Sequence, residues 1–336
     1  MGKFTIYDLA SDLGLSVSTT SKAINGYTDV SMKTRERVMQ RAKELGFEPS
    51  MAAKANTTKQ SFLLGVIYAE KGEGLMHPHF SEILENFRKT VEMHGYQIMF
   101  IGENNLSTNR TLLQTCRYRG VDGVLIMAFD HRVEELHQVL ESDIPMVLVD
   151  YEWENCSSVI SNNEDGMKRI IDYCWQQGHR DFCYIAAPKI FQAAEERLYG
   201  IKDGLKKYGI QLPEEKIVYT DEYSFKEGYD AMEKLLKRKL SSTVVVTAYD
   251  RYAFGAMYCL QEHGIKVPEE LSVTGFDDLP SDQMLFWKLT TVRQQRAQIG
   301  IEAGRILLDE IQHGEKEQVR IRLDTPLVVR TSVKKI

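Results

Sequence analysis

Two groups of residues carry chemistry that a bare fold does not require. The first is the run from Ser16 through Val17, Ser18, Thr19, Thr20 and Ser21 to Lys22, on what reads as a short helix. Short side chains near a helix N-terminus let the backbone come close to base edges in a DNA major groove. Ser18, Thr19 and Ser21 can hydrogen-bond bases or phosphates, Val17 can touch a thymine methyl, and Lys22 can pair with guanine or phosphate. A plain three-helix bundle with a polar surface is the alternative. The second group is scattered: Asp150, Ser161, Arg197, Tyr223, Tyr249 with Asp250, and Asp277. Each falls near the C-terminal end of an apolar, strand-like run, where open α/β sheets hold ligands. A sugar needs charged groups that bind hydroxyls bidentately and an aromatic ring against its apolar face. Helix capping or ion pairing between lobes suits any one of these residues as well.

The elements that must position them follow from period and punctuation. Thr5 followed by Asp8 forms a capping-box pattern, and Ile6, Leu9, Ala10 and Leu13 fall on one helical face. Gly14 supplies a left-handed turn, Ser16 caps a second helix over Val17–Ile24, and Asn25-Gly26 closes it. Thr20, Ala23 and Ile24 face inward. Ser31 caps a third helix with Val38, Ala42 and Leu45 inside, stopped by Gly46. Beyond residue 60, strand-like runs at 62–68, 97–101, 123–127, 145–149, 158–161, 182–185, 243–247 and 271–275 alternate with amphipathic patterns. Those patterns cover 80–94, 111–119, 166–177, 197–208, 226–238 and 253–263. This is βαβ rhythm, hence parallel sheets covered on both faces. The length exceeds what one such sheet holds, so two lobes are expected.

The charge is unevenly placed. Residues 1–60 carry nine Lys/Arg against six Asp/Glu, within totals of 42 and 48, so a basic head precedes an acidic body. That suits a nucleic-acid-binding module joined to a body that need not touch DNA. No apolar run reaches the length of a membrane span, and Asp8 and Asp12 interrupt any signal-peptide core. Cys116, Cys156, Cys174, Cys183 and Cys259 are scattered, which argues against a disulfide framework or a structural zinc and for cytoplasmic thiols. No metal and no cofactor is expected.

The head resembles that of lactose/galactose-repressor (LacI/GalR) family regulators. The resemblance lies in Thr5-Ile-Tyr-Asp-Leu-Ala10, in Gly14-Leu-Ser-Val-Ser-Thr-Thr-Ser-Lys22, and in Ala23-Ile-Asn-Gly26. It continues through Val30-Ser31, Thr34-Arg-Glu-Arg-Val38 and Leu45-Gly-Phe-Glu-Pro49. It implies an all-α helix-turn-helix head and a periplasmic-binding-protein-like α/β body of two lobes with parallel sheets. It implies that Val17 and Ser18 read bases, that Thr5, Tyr7, Ser16, Thr19, Ser21 and Asn25 hold phosphates, and that Lys22 stands where the family usually has Arg. The stretch 49–60 resembles a hinge that folds on operator DNA, with Ala53 fitting the pattern. Asn56 stands where a Leu wedge is expected, which questions strong kinking. In the body, Arg197 and Asp277 match positions that hold effector hydroxyls, and Phe80, Asp150 and Tyr223 match positions lining the same cleft. Tyr249 replaces a family Asn that often binds effector, so no particular sugar can be carried over.

The expected organisation is a DNA-binding head at 1–48, a hinge at 49–60 and an effector-binding and dimerisation body at 61–336. The body's lobes are expected at about 61–160 plus 291–325, and 161–290 plus 326–336, because segments 290–314 and 326–331 would cross back. Asp278 and Asp282 read as solvated loop acids. Motifs count against two rival functions. A dehydrogenase lacks its third glycine after Gly72-Glu-Gly74, and there is no Walker lysine motif, zincin pair or nucleophile elbow. An exported sugar-binding protein explains the body but not the head. The expectation is a cytoplasmic, non-enzymatic repressor of carbohydrate-use genes. It would bind double-stranded operator DNA as a homodimer, under a small sugar-like effector. With no heptad tail after the last strand, a dimer is expected and not a tetramer.

Overall fold

A computed structural model describes residues 4–47, 60–68, 77–102, 110–127, 133–238, 241–279, 288–314 and 318–336. The chain divides into two compact units, Met1–Phe62 and Leu63–Ile336.

The first unit holds α1 (Ile6–Leu13), α2 (Val17–Ile24) and α3 (Met32–Glu44). Each starts at a side-chain cap. Thr5 and Asp8 complete a reciprocal capping box, Ser16 accepts from the Thr19 N–H, and Ser31 accepts from the Thr34 N–H. Gly14 ends α1 at φ 67°, a left-handed conformation that costs glycine nothing and permits the steep turn into α2. Leu9, Leu13, Ala23, Val30, Val38 and Ala42 make the small core. Thr20 joins that core fully buried, its hydroxyl satisfied by donating to the Ser16 carbonyl at 3.0 Å. A two-pronged ion pair from Arg41 to Asp12 ties α3 to α1.

The second unit contains two parallel sheets. The first runs β11 (Arg320–Leu323), β5 (Ser157–Ser161), β4 (Met146–Val149), β3 (Gly123–Met127), β1 (Leu63–Tyr68), β2 (Gln97–Ile101). The other runs β7 (Ile217–Tyr219), β6 (Phe182–Ala186), β8 (Val244–Thr247), β9 (Ser272–Thr274). Every paired strand in both is parallel. Central strands are apolar throughout and fully buried, as β3 and β6 show, because helices cover both faces. Those helices are α4 (Pro78–Glu92), α5 (Leu112–Arg119), α6 (Glu134–Leu140), α7 (Asn163–Gln176), α8 (Gln192–Lys206), α9 (Phe225–Lys237), α10 (Asp250–Glu262) and α11 (Arg296–His313).

The chain passes between the sheets after β5, after β10 (Thr291–Val292) and after β11, before β12 (Leu327–Val328) pairs antiparallel with β10. The crossings are stitched together. Asn162 N donates to the Leu323 carbonyl at 2.9 Å, the Thr325 hydroxyl to the Asn162 carbonyl at 2.9 Å, and Arg293 N to the Pro326 carbonyl at 2.9 Å. The alternation of runs foretells eight strands to within two residues at either end, but not β7, β10, β11 or the helix α6. No helix among the described residues is long and apolar enough to cross a membrane.

Candidate nucleic-acid interface and effector cleft

In the first unit, Ser18, Lys22 and Asn25 are exposed, and Val17, Thr19 and Ser21 are half-buried. Tyr7 projects at 70 % exposure. The hydroxyls of Ser16 and Thr19 hydrogen-bond each other at 2.8 Å, and Asn25 Nδ2 donates to Ser21 Oγ at 3.4 Å. Thr5 Oγ1 is committed to Asp8 at 2.7 Å. Lys22 is ion-paired with Asp29, whose hydrogen bond and charge raise the lysine above its ordinary range. The sequence pattern does not single out that carboxylate as a partner of Lys22. Ala53, Asn56 and almost all of the expected hinge lie outside the described residues.

The second unit holds a cleft of about 640 Å³, its mouth included. Phe80, Asp150, Arg197, Tyr223, Tyr249 and Asp277 all line it. They come from the start of α4, the end of β4, the middle of α8, and the loops that follow β7, β8 and β9. Strand C-termini converge there, as the topology requires.

Arg197 is buried at 2 % exposure between two rings, 3.8 Å from the Phe276 centroid and 4.6 Å from that of Tyr249. Its Nε donates to Asn163 Oδ1 at 2.9 Å and its Nη1 to the Ala248 carbonyl at 2.8 Å. Asp277 lies 3.9 Å from Nη1. Its carboxylate accepts from the Tyr223 hydroxyl at 2.8 Å and from Gln294 Nε2 at 2.6 Å. Burial, and then the Asp277 charge, push the Tyr223 phenol far above its ordinary range, so it stays a donor. Tyr249 gives the cleft an aromatic wall, its ring edge-on to Tyr223 with centroids 4.3 Å apart. Ser161 does not line the cleft. Its buried hydroxyl donates to Gln294 Oε1 at 2.7 Å and so supports the Asp277 contact from behind.

Both cleft aspartates have unusual backbones, Asp150 at φ 60° and Asp277 at φ 142°. Such conformations persist only where the surroundings hold them, and they cluster at binding sites. Gly275, two residues before Asp277, leaves no room for a side chain, since a Cβ there would meet Asp250 Oδ1 at 2.1 Å. Asp278 corrects the sequence reading. It is not solvated but buried, and bound by Arg293 at 2.6 Å and by Arg330. Burial alone would raise its carboxyl, yet those two hydrogen bonds hold it below the ordinary range. Asp282 lies outside the described residues.

Sequence reasoning misses His77, His79, Asn163 and Gln294. His77 caps α4, accepting the His79 N–H at 3.1 Å, and Pro78 occupies the first helical position. Burial first, then the charges of His79, Arg251 and Arg296, push the His77 ring down to about 3. It is therefore neutral at neutral pH, with its proton on Nε2. The signal was present, because a proline just ahead of an amphipathic run marks a helix start two residues before 80.

The head matches the model of lacI-family bacterial regulatory proteins over residues 5–50, and the body matches a periplasmic binding protein-like domain over 171–333. The chain is 31 % identical over 335 residues to the HTH-type transcriptional repressor PurR of Salmonella arizonae, covering 98 % of this chain and 96 % of that one. The chain belongs to the LacI family. Among solved structures, this LacI-family protein superposes on a lac repressor dimer bound to operator and the anti-inducer ONPF. The TM-score is 0.85 at 25 % identity, covering 99 % of this chain and 100 % of that one. It also matches a CelR–cellobiose complex, with TM-score 0.75 at 29 % identity over 98 % and 99 % of the two chains. The LacI-family chain is a sequence-specific DNA-binding transcription regulator and not an enzyme.

Proposed function

We propose that this regulator is a cytoplasmic, homodimeric repressor of carbohydrate-use genes, relieved or reinforced by a sugar or sugar derivative in the cleft. Residues 1–48 would form the operator-binding head, 49–60 the hinge, and 61–336 the effector-binding body. Within the head, Val17 and Ser18 would face base edges. Thr5, Tyr7, Ser16, Thr19, Ser21 and Asn25 would contact phosphates, and Lys22 a phosphate or a guanine. Two heads on a pseudo-palindrome give useful affinity, and the effector acts only through its unequal binding to two arrangements of the lobes.

The observation that carries the reading is the buried Arg197–Asp277 pair, set among the rings of Tyr249, Phe276 and Tyr223. Fixed charges matched to hydroxyls and flat apolar walls matched to ring faces are what a pyranose or furanose requires. A relative named for the ribose operon and a structural neighbour holding cellobiose lend support.

The test is a thermal-shift panel of neutral sugars, sugar acids, sugar phosphates and purine bases, followed by operator titration. A ligand at about 100 times its Kd adds about 2.7 kcal/mol of stability. A saccharide that stabilises the protein and changes operator affinity, with both effects lost in Asp277→Asn, is the expected result. Stabilisation by a purine base and by no saccharide would overturn the sugar reading.

A further inference from the structure

The three chain crossings are not the only ties between the lobes. Four residues close a hydrogen-bonded ring across the same gap. Glu152, just past β4, and Arg322 of β11 belong to the first-sheet lobe. Gln192 and Glu196 stand one helical turn apart on α8 of the other. The Glu152 N–H donates to Gln192 Oε1 at 2.8 Å, and Gln192 Nε2 donates to Glu196 Oε1 at 3.1 Å. Arg322 Nη2 reaches Glu196 Oε1 at 3.2 Å and Glu152 Oε2 at 2.8 Å. Two of these bonds, Glu152 to Gln192 and Arg322 to Glu196, pass from lobe to lobe. Asn163, itself buried, donates from Nδ2 to Glu196 Oε2 at 2.9 Å and accepts from Arg197 Nε at 2.9 Å. One amide therefore holds both the ring's carboxylate and the guanidinium of the cleft.

We infer that Arg322, Glu152, Gln192 and Glu196 form a latch that holds the lobes in this arrangement and opens when they part. Arg322 is 40 % exposed, and an ion pair so open to water adds little to the stability of a fold. It matters where two arrangements of nearly equal energy compete, since regulatory coupling takes only about fivefold or more. The ring is built to open at small cost. If the lobes part, Arg322 loses Glu196 but keeps Glu152 of its own lobe. Glu196 in turn keeps Asn163 and Gln192 of its own lobe, so neither charge is stranded. Glu152, Glu196 and Arg322 lie outside the lining of the cleft. The inference rests on the reading that operator affinity follows the arrangement of the lobes. On that reading, residues that touch neither effector nor operator set how far the regulator stands from its other state.

Hydrogen exchange and operator titration on the full-length protein, with no effector added, test this. The Glu152 amide is protected while its bond to Gln192 is made, so its exchange rate reports opening of the latch. Arg322→Gln removes the bridging cation, and Glu196→Gln removes the charge and one of two acceptor oxygens. Arg320→Gln is the control, because Arg320 lies on the same strand and meets the Trp153 carbonyl of its own lobe at 3.3 Å. Cooperative thermal unfolding checks that each variant folds. Both latch variants should speed exchange at Glu152 roughly twofold to fivefold. The double variant should exceed neither by much, because either change already breaks the pair. Operator affinity should move in one direction in all three and stay at wild type in the control. Wild-type exchange in both latch variants, or additive effects in the double variant, would overturn the latch. So would a control that loosens Glu152 as much as Arg322→Gln does. Faster exchange with unmoved operator affinity would leave the latch in place and overturn the reading that lobe arrangement governs the operator.

Discussion

Arg296 donates from Nη1 to the backbone carbonyl of Asp277 at 2.6 Å, so the residue whose carboxylate faces the cleft is held from behind by the first turn of α11. Nη2 of the same guanidinium reaches the Asp278 carbonyl at 3.1 Å, and Nε reaches Glu82 of α4 at 2.6 Å. Arg296 thus ties a helix of the first-sheet lobe to the loop after β9 of the other. Replacing it with alanine takes a charged donor from two buried carbonyls, of which Asp277 O keeps only the Gln294 N–H at 3.3 Å. We expect Arg296→Ala to lower unfolding stability by about 2–4 kcal/mol. Because the link between lobes is cut, the ratio of operator affinities with and without a bound saccharide should shrink as well. Urea unfolding and paired operator titrations measure these two effects. A variant with wild-type stability and a wild-type ratio would remove Arg296 from the coupling.

The head invites a test of position against charge. Base-edge contacts specify, whereas a cation chiefly displaces counterions. Val17→Ala and Ser18→Ala should change which operators are preferred. Lys22→Ala should weaken all operators alike and reduce the salt slope by about one ion. Asp29→Asn is predicted from the structure alone. It frees Lys22 and removes a negative charge from the same surface, so affinity should rise, most at low salt. Binding across an operator library at several salt concentrations separates the three outcomes. Unchanged sequence preference in both Val17 and Ser18 variants would show that α2 does not read bases.

What could be read from the sequence was local. The caps at Thr5, Ser16 and Ser31 act over three residues, so pattern alone places α1, α2 and α3. Asp150, Tyr249 and Asp277 were legible because the ends of foreseen strands announce themselves by a change from apolar to polar, whereas Phe80, Arg197 and Tyr223 were legible through matched family positions. Long-range partners were not. Strand β11 is polar and half-exposed and exists because it pairs with β5, more than 150 residues earlier. Asp278 looks like a loop acid until Arg293 and Arg330 arrive from later in the chain. His79 gains meaning only from Asp150, 71 residues away.

Helix α4 carries His77, His79 and Phe80 into the cleft, and Gly300 of α11 sets its position. A Cβ at 300 would stand 2.2 Å from the Ile83 carbonyl oxygen and 2.9 Å from Phe87 N. Neither is a flexible side-chain end, so the two helices would have to move apart. Gly300→Ala should cost about 1–3 kcal/mol despite its better helix propensity. It should also weaken saccharide binding, because the cleft wall formed by His77, His79 and Phe80 shifts with α4. Gly102, with nothing near its Cβ position, is the control: its alanine variant should stay within about 0.5 kcal/mol of wild type. Chemical denaturation gives both energies, and equal stabilities would mean that the helices have slack.

His77 makes the stability of the body depend on pH. Its ring is pushed from 6.5 in an open environment down to about 3, by burial first and then by neighbouring positive charge. Between those values the unfolded chain binds a proton that the folded chain refuses, so acid favours unfolding. The contribution is complete above about pH 6.5 and is lost progressively as pH falls toward 3. Each unit of pH in that window removes about 1.4 kcal/mol. His179, buried and likewise held below its ordinary range, adds a slope of its own, so removing His77 should flatten the curve without levelling it. His77→Asn keeps an acceptor at the N-cap of α4 while deleting the titration. Urea unfolding from about pH 7 to about pH 5 should show the slope of stability against pH fall by close to one proton in the variant. A slope identical to wild type would mean that the His77 ring takes up its proton in the folded protein as readily as in the unfolded one.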